Sequence, residues 1–181
     1  MMKVRKHPID LDKKRYLVYN LGAIYELEQI YGSFDGFFDV IKDLKDQDLF
    51  NFIWVGLLHE EEMTVLDPAI VDHYSNSEPA IQWGIKVTVL KAFLSVWTGL
   101  KKEETSQKSE QASADQQHMR WNWVYFYHIG TVLLNMSEGD FWRCTPVKFL
   151  LLWEEYRRFN GLDKAAEEQF QQHEAIINQY I

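Results

Sequence analysis

The chain has 181 residues, of which 46% are hydrophobic and 25% charged, and its formal net charge is −8. This composition is that of a folded protein and excludes a chain that is disordered throughout. The acidic balance argues against a nucleic-acid partner, because phosphate neutralisation needs Lys and Arg gathered on one face and no run of more than three basic residues follows Arg5. The expected partners are therefore proteins.

The single cysteine and the hydropathy pattern indicate where the chain resides. Cys144 has no second cysteine with which to form an intrachain disulfide, which fits a reducing compartment. Residues 1–14 are too polar for a signal peptide, and no apolar run approaches the ~20 residues that a membrane span needs. We expect a protein that remains where it is made and has no membrane contact.

A β-hairpin and a helix are predicted at the start of the chain. Apolar and polar residues alternate over residues 13–19, which predicts a strand that pairs with residues 4–11 through a tight turn. From Leu21 to Tyr31 the apolar spacing becomes helical, and Gly32 can adopt the left-handed conformation that ends a helix.

Four further helices are predicted before residue 100. The spacing predicts a short helix over residues 36–44 and another whose apolar face lies within residues 49–57. Asp67 and Pro68 form a favourable helix start. Residues 80–98 carry two apolar stripes and only a narrow polar strip, so this helix is either central to a core or covered by a partner. Packing alone favours the core helix.

The composition changes abruptly at residues 101–118, which contain no aromatic residue and no apolar residue larger than Ala. Such a segment cannot bury enough surface to fold alone, and a flexible linker is the simplest interpretation, although an extension of the preceding helix remains possible. Residues 1–100 and 119–181 are accordingly predicted to form two small modules. The predicted fold class is mainly α, with the β-hairpin in the first module.

The second module begins with the most aromatic stretch of the chain, residues 121–136, which is long enough for a buried helix. Ser137 opens a short helical turn, and Thr145 with Pro146 begins another helix that stops at Gly161. A last helix is predicted over residues 162–181. A core of about 60 residues can hardly hide so many aromatic side chains, so part of this surface is a candidate contact patch.

Candidate partner-binding residues follow from the over-apolar helix and from the aromatic surplus of the second module. The helix contributes Trp83, Leu90 and Trp97, and the aromatic surplus contributes Trp121, Trp123, Phe141 and Trp142. Thr145 and Pro146, which begin the next helix, are included with them.

Motifs for catalysis or cofactor binding are not found in the sequence. The best metal-like cluster gathers His59, Glu61 and His73 with neighbouring carboxylates, but it matches no ligand spacing and a solvated helix end is favoured. Cys144 has no obvious base beside it. We therefore expect no cofactor and a non-enzymatic binding protein.

Two passages resemble the tail assembly chaperones of long-tailed bacteriophages and prophages. In the first module the passage comprises residues 16–20, residues 27–32, which end in Tyr-Gly, and residues 54–59, which end in Gly-Leu-Leu-His. In the second module it comprises residues 136–146, where Phe-Trp is followed two residues later by Thr-Pro, and then Phe149. One departure is visible at Lys148, where the family commonly has a Glu that would complete a capping box.

The resemblance implies a function and a set of partners. The short form of the family ends after the first domain, and a programmed ribosomal frameshift appends the second, so this chain would be the extended form. It would bind the tape measure protein through the first module and recruit the major tail (tube) protein through the second. It would act in the cytoplasm of the bacterial host and be missing from the mature virion, and self-association remains open.

Two alternatives remain. The chain could be a virion structural or tail completion protein that stays in the particle. A metal-dependent hydrolase built on His59, Glu61 and His73 is a third, less favoured interpretation.

Overall fold

The computed structural model describes residues 6–60, 65–98 and 121–162. Of these residues 68% are helical, and a two-stranded antiparallel hairpin precedes the helices. The predicted fold class, mainly α with an N-terminal β-hairpin, is confirmed. The predicted linker over residues 101–118 and the last predicted helix, apart from Leu162, lie outside the described residues.

The hairpin pairs β1 (His7–Asp10) with β2 (Lys14–Leu17), with His7 opposite Leu17 and Asp10 opposite Lys14. Its inward face holds Leu17 together with Arg15, which is only 1% exposed. The Arg15 guanidinium donates to both carboxylate oxygens of Asp12 in the turn, at 2.7 and 2.9 Å. The alternation predicted from the sequence therefore places a charged residue inside, and the turn carboxylate neutralises it.

Eight α-helices follow the hairpin among the described residues, with one π-helical turn at Ile129–Leu133. The α-helices are α1 (Leu21–Tyr31), α2 (Phe34–Lys42), α3 (Asp46–Leu57), α4 (Pro68–Ser75), α5 (Pro79–Ser95), α6 (Trp123–His128), α7 (Glu138–Arg143) and α8 (Pro146–Asn160).

The predicted helix ends are observed. Gly32 and Gly161 end α1 and α8 in the left-handed conformation, with φ of 79° and 66°. The side chains of Asp67, Ser137 and Thr145 each accept a hydrogen bond from a backbone N–H in the first turn of α4, α7 and α8. These helix starts could be predicted from the sequence because each capping side chain binds a backbone N–H no more than three residues away.

The stretch predicted as one buried helix over residues 121–136 is divided. Helix α6 begins only at Trp123, and the helix then widens into the π-helical turn. Gly130 lies in this turn and packs directly against the ring of Phe141: a β-carbon at Gly130 would lie 2.4 Å from the Phe141 Cδ2 atom. The close approach of an aromatic ring to bare backbone accounts for glycine at this position.

Residues from both predicted modules share one hydrophobic core. The ring of Trp121 stacks on Phe34 in α2, with centroids 5.3 Å apart and planes 10° apart, and it also contacts Trp97. Farther along, Phe126 meets Phe149 edge to face at 5.6 Å. The boundaries of the two modules stay a prediction, but the described parts of both are packed against each other.

Candidate partner-binding surfaces

Helix α5 has one apolar face in the core and another in solvent. The buried face holds Ile85, Val89, Ala92 and Phe93. Away from this face, the side chain of Trp83 is 67% exposed and that of Leu94 is 38% exposed. A largely exposed tryptophan on a long helix is unusual for a surface without a partner. The two interpretations of this helix, core and contact surface, thus apply to different faces.

Four apolar residues of α5 that are not fully buried form a continuous line, which we call the α5 stripe: Trp83, Val87, Leu90 and Leu94. Val87 and Leu90 within it are half-buried. The spacing of four, three and four residues is that of a heptad seam, and the line runs about 16 Å along the helix. Trp97 continues the spacing but is buried against the rings of α2, so the exposed line ends at Leu94.

The charges on α5 are all positive. The helix contains no Asp or Glu, although the whole chain has a net charge of −8. Lys86 and Lys91 are its charged residues, and helical geometry places them on opposite sides of the α5 stripe. The Lys86 ammonium lies 2.9 Å from the carboxylate of Asp46, and this hydrogen bond holds the pKa of Asp46 below its ordinary value. Lys91 is exposed.

The structure places the predicted contact residues at very different depths. Trp83 is exposed, and the half-buried ones are Leu90, Trp123, Trp142 and Thr145. The buried ones are Trp97, Trp121, Phe141 and Pro146. The structure gathers Trp121, Trp123 and Trp142 near α1, whereas Trp83 and Leu90 belong to the α5 stripe. A binding role for each of them stays a prediction.

A buried carboxylate joins the two predicted modules. Glu28 in α1 is 3% exposed, and one of its oxygens accepts the backbone N–H of Trp121 at 2.8 Å. The other oxygen accepts the indole N–H of Trp123. Two donors offset the cost of burying the charge. Glu28 was not predicted from the sequence, because nothing local distinguishes it among the 27 acidic residues.

Aromatic rings extend this junction. Tyr25, one turn before Glu28, meets Trp123 and Trp142 edge to face, with centroid distances of 5.3 and 5.6 Å. The backbone N–H of Leu21 donates to the carbonyl of Cys144 at 2.8 Å. The start and middle of α1 are therefore covered by residues that follow it by more than 90 positions.

An open groove of about 650 Å³ lies beside the junction. Tyr25 and Trp142 line it together with His59, Glu26 and Arg143. The groove thus brings together aromatic rings and charges of both signs from the two predicted modules.

The structure describes three of the candidates for chemistry, His59, His73 and Cys144. His59 Nδ1 lies 3.0 Å from the carbonyl of Gly56, and burial lowers the pKa of its imidazole. His73 is exposed, and Glu61 lies outside the described residues. Within residues 6–60, 65–98 and 121–162, no group of His, Cys, Asp or Glu is arranged to hold a metal ion. Burial raises the pKa of the Cys144 thiol to about 11, which keeps it protonated at neutral pH.

The second part of the chain exposes three large apolar side chains, Val124 by 82%, Val132 by 60% and Phe159 by 88%. Phe159 belongs to the aromatic set that a small core was predicted not to hide, whereas the two valines were not predicted to be exposed. Val132 lies in the widened turn after α6, which alters the helical phase from which its exposure could be predicted.

Comparisons of the chain with protein-family models, with curated proteins and with solved structures found no match. Among the described residues, no helix has both the length and the apolar character to cross a membrane.

Proposed function

We propose that this chain is a non-enzymatic binding protein, the extended form of a phage tail assembly chaperone. Its first part binds the tape measure protein, and its second part recruits the major tail (tube) protein, in the cytoplasm of the bacterial host. The observation that carries the proposal is the α5 stripe, with Trp83 67% exposed at one end.

A chaperone that keeps an apolar polypeptide in solution must offer it an apolar surface while remaining folded itself. The α5 stripe meets this requirement, because the buried face of the same helix anchors it through Val89 and Phe93. Aromatic side chains dominate the binding energy of protein interfaces, and an exposed tryptophan contributes much area with few rotatable bonds.

The second half of the proposal is supported by the exposed apolar side chains after residue 120. Val124 and Phe159 are each more than four-fifths exposed. Two exposed apolar surfaces on one chain permit a target and a tube subunit to be held near each other, which raises the effective concentration of one beside the other.

Residues of the two passages that carry the family resemblance line the same groove. The N–H of Val18 donates to the carbonyl of Gly56 at 2.9 Å within the first passage. Asn20 and His59 from the first passage line the groove together with Trp142 from the second. A shared location is what we expect if both passages serve one function.

Co-expression with a tape measure protein tests the proposal. The intact chain is expected to raise the soluble fraction of that protein, and Trp83→Ala to abolish most of the gain. Ile81→Ala is the matched control, because Ile81 is 48% exposed on the same helix but lies off the α5 stripe. Equal solubility with and without the intact chain would refute the proposal.

The alternative function, a structural protein of the virion, differs from a chaperone in that the chain would be present in the finished particle. Mass spectrometry of purified particles should find no copies of a chaperone, since it leaves when the tail is complete. Stoichiometric recovery from particles would favour a tail completion protein instead.

A further inference from the structure

We propose that the α5 stripe binds one particular kind of partner: an amphipathic helix with apolar residues at heptad spacing and carboxylates beside them on the side that faces Lys91. This inference rests on the proposed function and specifies the segment of the target that the chaperone recognises. It is carried by the seam spacing and by the charges beside it.

The first step concerns the geometry of the seam. Residues 83, 87, 90 and 94 occupy alternating core positions of a heptad, and the residues that flank this seam are 84 and 91 on one side and 86 and 93 on the other. A stripe of about 16 Å accommodates about three turns of a partner helix. Its four apolar side chains are matched by an equal stretch of heptad-spaced side chains in a helix that lies along it.

The second step concerns charge. In paired helices the flanking positions select the partner through their charges, and the charged residues at these positions of α5 are both lysine, Lys86 and Lys91. The Lys86 ammonium forms an ion pair with the Asp46 carboxylate at 2.9 Å, whereas Lys91 is exposed on the other side of the stripe. A partner with Glu or Asp beside its own seam would face Lys91 favourably, and a partner with lysines there would be repelled.

The same positions argue against a second copy of this chain as the occupant. If two α5 helices paired in parallel, Lys86 of one would face Lys91 of the other. If they paired in antiparallel orientation, each lysine would face its own counterpart. Antiparallel pairing would bring the two exposed Lys91 side chains together, and neither orientation offers Lys91 a carboxylate from the other α5, which has none, so the surface favours a different, acidic partner.

Two synthetic helical peptides test this inference against the full chain. They share one apolar heptad seam of about four heptads and differ only in their flanking residues, Glu in one and Lys in the other. Fluorescence anisotropy is expected to show binding of the acidic peptide at least about tenfold tighter at low salt, with the difference shrinking at high salt.

Variants of the chain test whether Lys91 and Trp83 cause the preference for the acidic peptide. Lys91→Glu should reverse the preference between the peptides, and Trp83→Ala should weaken binding of the acidic peptide at least about tenfold. Ile81→Ala and Lys14→Glu are the controls, since they make the same kinds of change off the stripe. Lys91 is exposed, so its variant stays informative even if Trp83→Ala disturbs folding, which circular dichroism would reveal.

Equal affinity for the two peptides, or an acidic preference that survives Lys91→Glu, would overturn the inference. Tape measure solubilisation by the chain together with equal peptide affinities would overturn it while leaving the proposed function intact. An acidic preference without solubilisation of the tape measure protein would uphold the surface and refute the proposed function.

Discussion

Glu28→Ala is expected to destabilise the whole folded chain, although the residue lies in none of the predicted contact surfaces. The substitution removes the acceptor of the Trp121 backbone N–H and that of the Trp123 indole N–H, both at a buried carboxylate. Losing the acceptor of a buried donor costs about 1–3 kcal/mol, so the two together predict a loss of about 2–6 kcal/mol in the free energy of unfolding. Such a loss is comparable to the total stability of many domains.

Glu28→Gln should cost less, because its amide oxygen can still accept one of the two hydrogen bonds while its NH₂ group cannot accept the other. We expect a loss of about 1–3 kcal/mol for this variant. The assay is urea unfolding followed by far-ultraviolet circular dichroism and by tryptophan fluorescence. Coincident transitions would indicate that residues before and after the 99–120 segment unfold together.

Glu26→Ala is the matched control, because Glu26 lies on the same helix but faces the groove. It should change the stability by no more than about 0.5 kcal/mol. If Glu28→Ala proved as stable as Glu26→Ala, the reasoning that the carboxylate joins the two parts of the chain would be refuted.

Three other predictions concern single groups. Asp12→Asn should lower the free energy of unfolding by about 1–3 kcal/mol at neutral pH. The hydrogen bond from Arg15 holds the pKa of Asp12 below its ordinary 3.8. The contribution of this pair to the free energy of unfolding is therefore present above that pH and is lost as the pH falls through the lowered pKa. Unfolding titrations at neutral and acidic pH would measure the difference. Gly130→Ala should destabilise the fold by about 1–3 kcal/mol, because the added β-carbon would meet an aromatic ring. Gly84→Ala should stabilise it by about 0.5–1 kcal/mol, because no atom lies near the added carbon. Thermal melts should show a lower melting temperature for the first variant and a higher one for the second. Cys144, buried and with a pKa of about 11, should react with iodoacetamide far more slowly in the native than in the urea-unfolded chain at pH 8, and equal rates would contradict its burial.

Local patterns predicted the elements of this fold because their causes are local. The hairpin followed from alternation over residues 13–19, and helix ends at Gly32, Asp67 and Gly161 followed from caps that act within a few residues. The boundaries of α2 and α6 shifted by about two residues, as expected where a different polar side chain takes the capping position.

Contacts between residues far apart in the chain could not be predicted, because they produce no local pattern in the sequence. The hydrogen bonds of Glu28 join residues 93 and 95 positions apart, and no periodicity in the sequence reports them. The sequence likewise predicted that aromatic residues after position 120 exceed what a small core can hide, but it could not show that Trp121 would be covered by Phe34 and Trp97. Among the exposed apolar residues, Trp83 was a predicted contact residue and Phe159 belonged to the predicted aromatic surplus, whereas Val124 was not predicted.

The position of Trp121 in the chain has a consequence for synthesis on the ribosome. Trp121 is made 93 residues after Glu28, its hydrogen-bonding partner. At about 5–20 residues per second, α1 emerges roughly 5–19 s before the residues that cover it. During that interval the rings of Tyr25 and Phe34 lack their final neighbours, so the nascent chain passes through a period when this aromatic surface is open to whatever binds first.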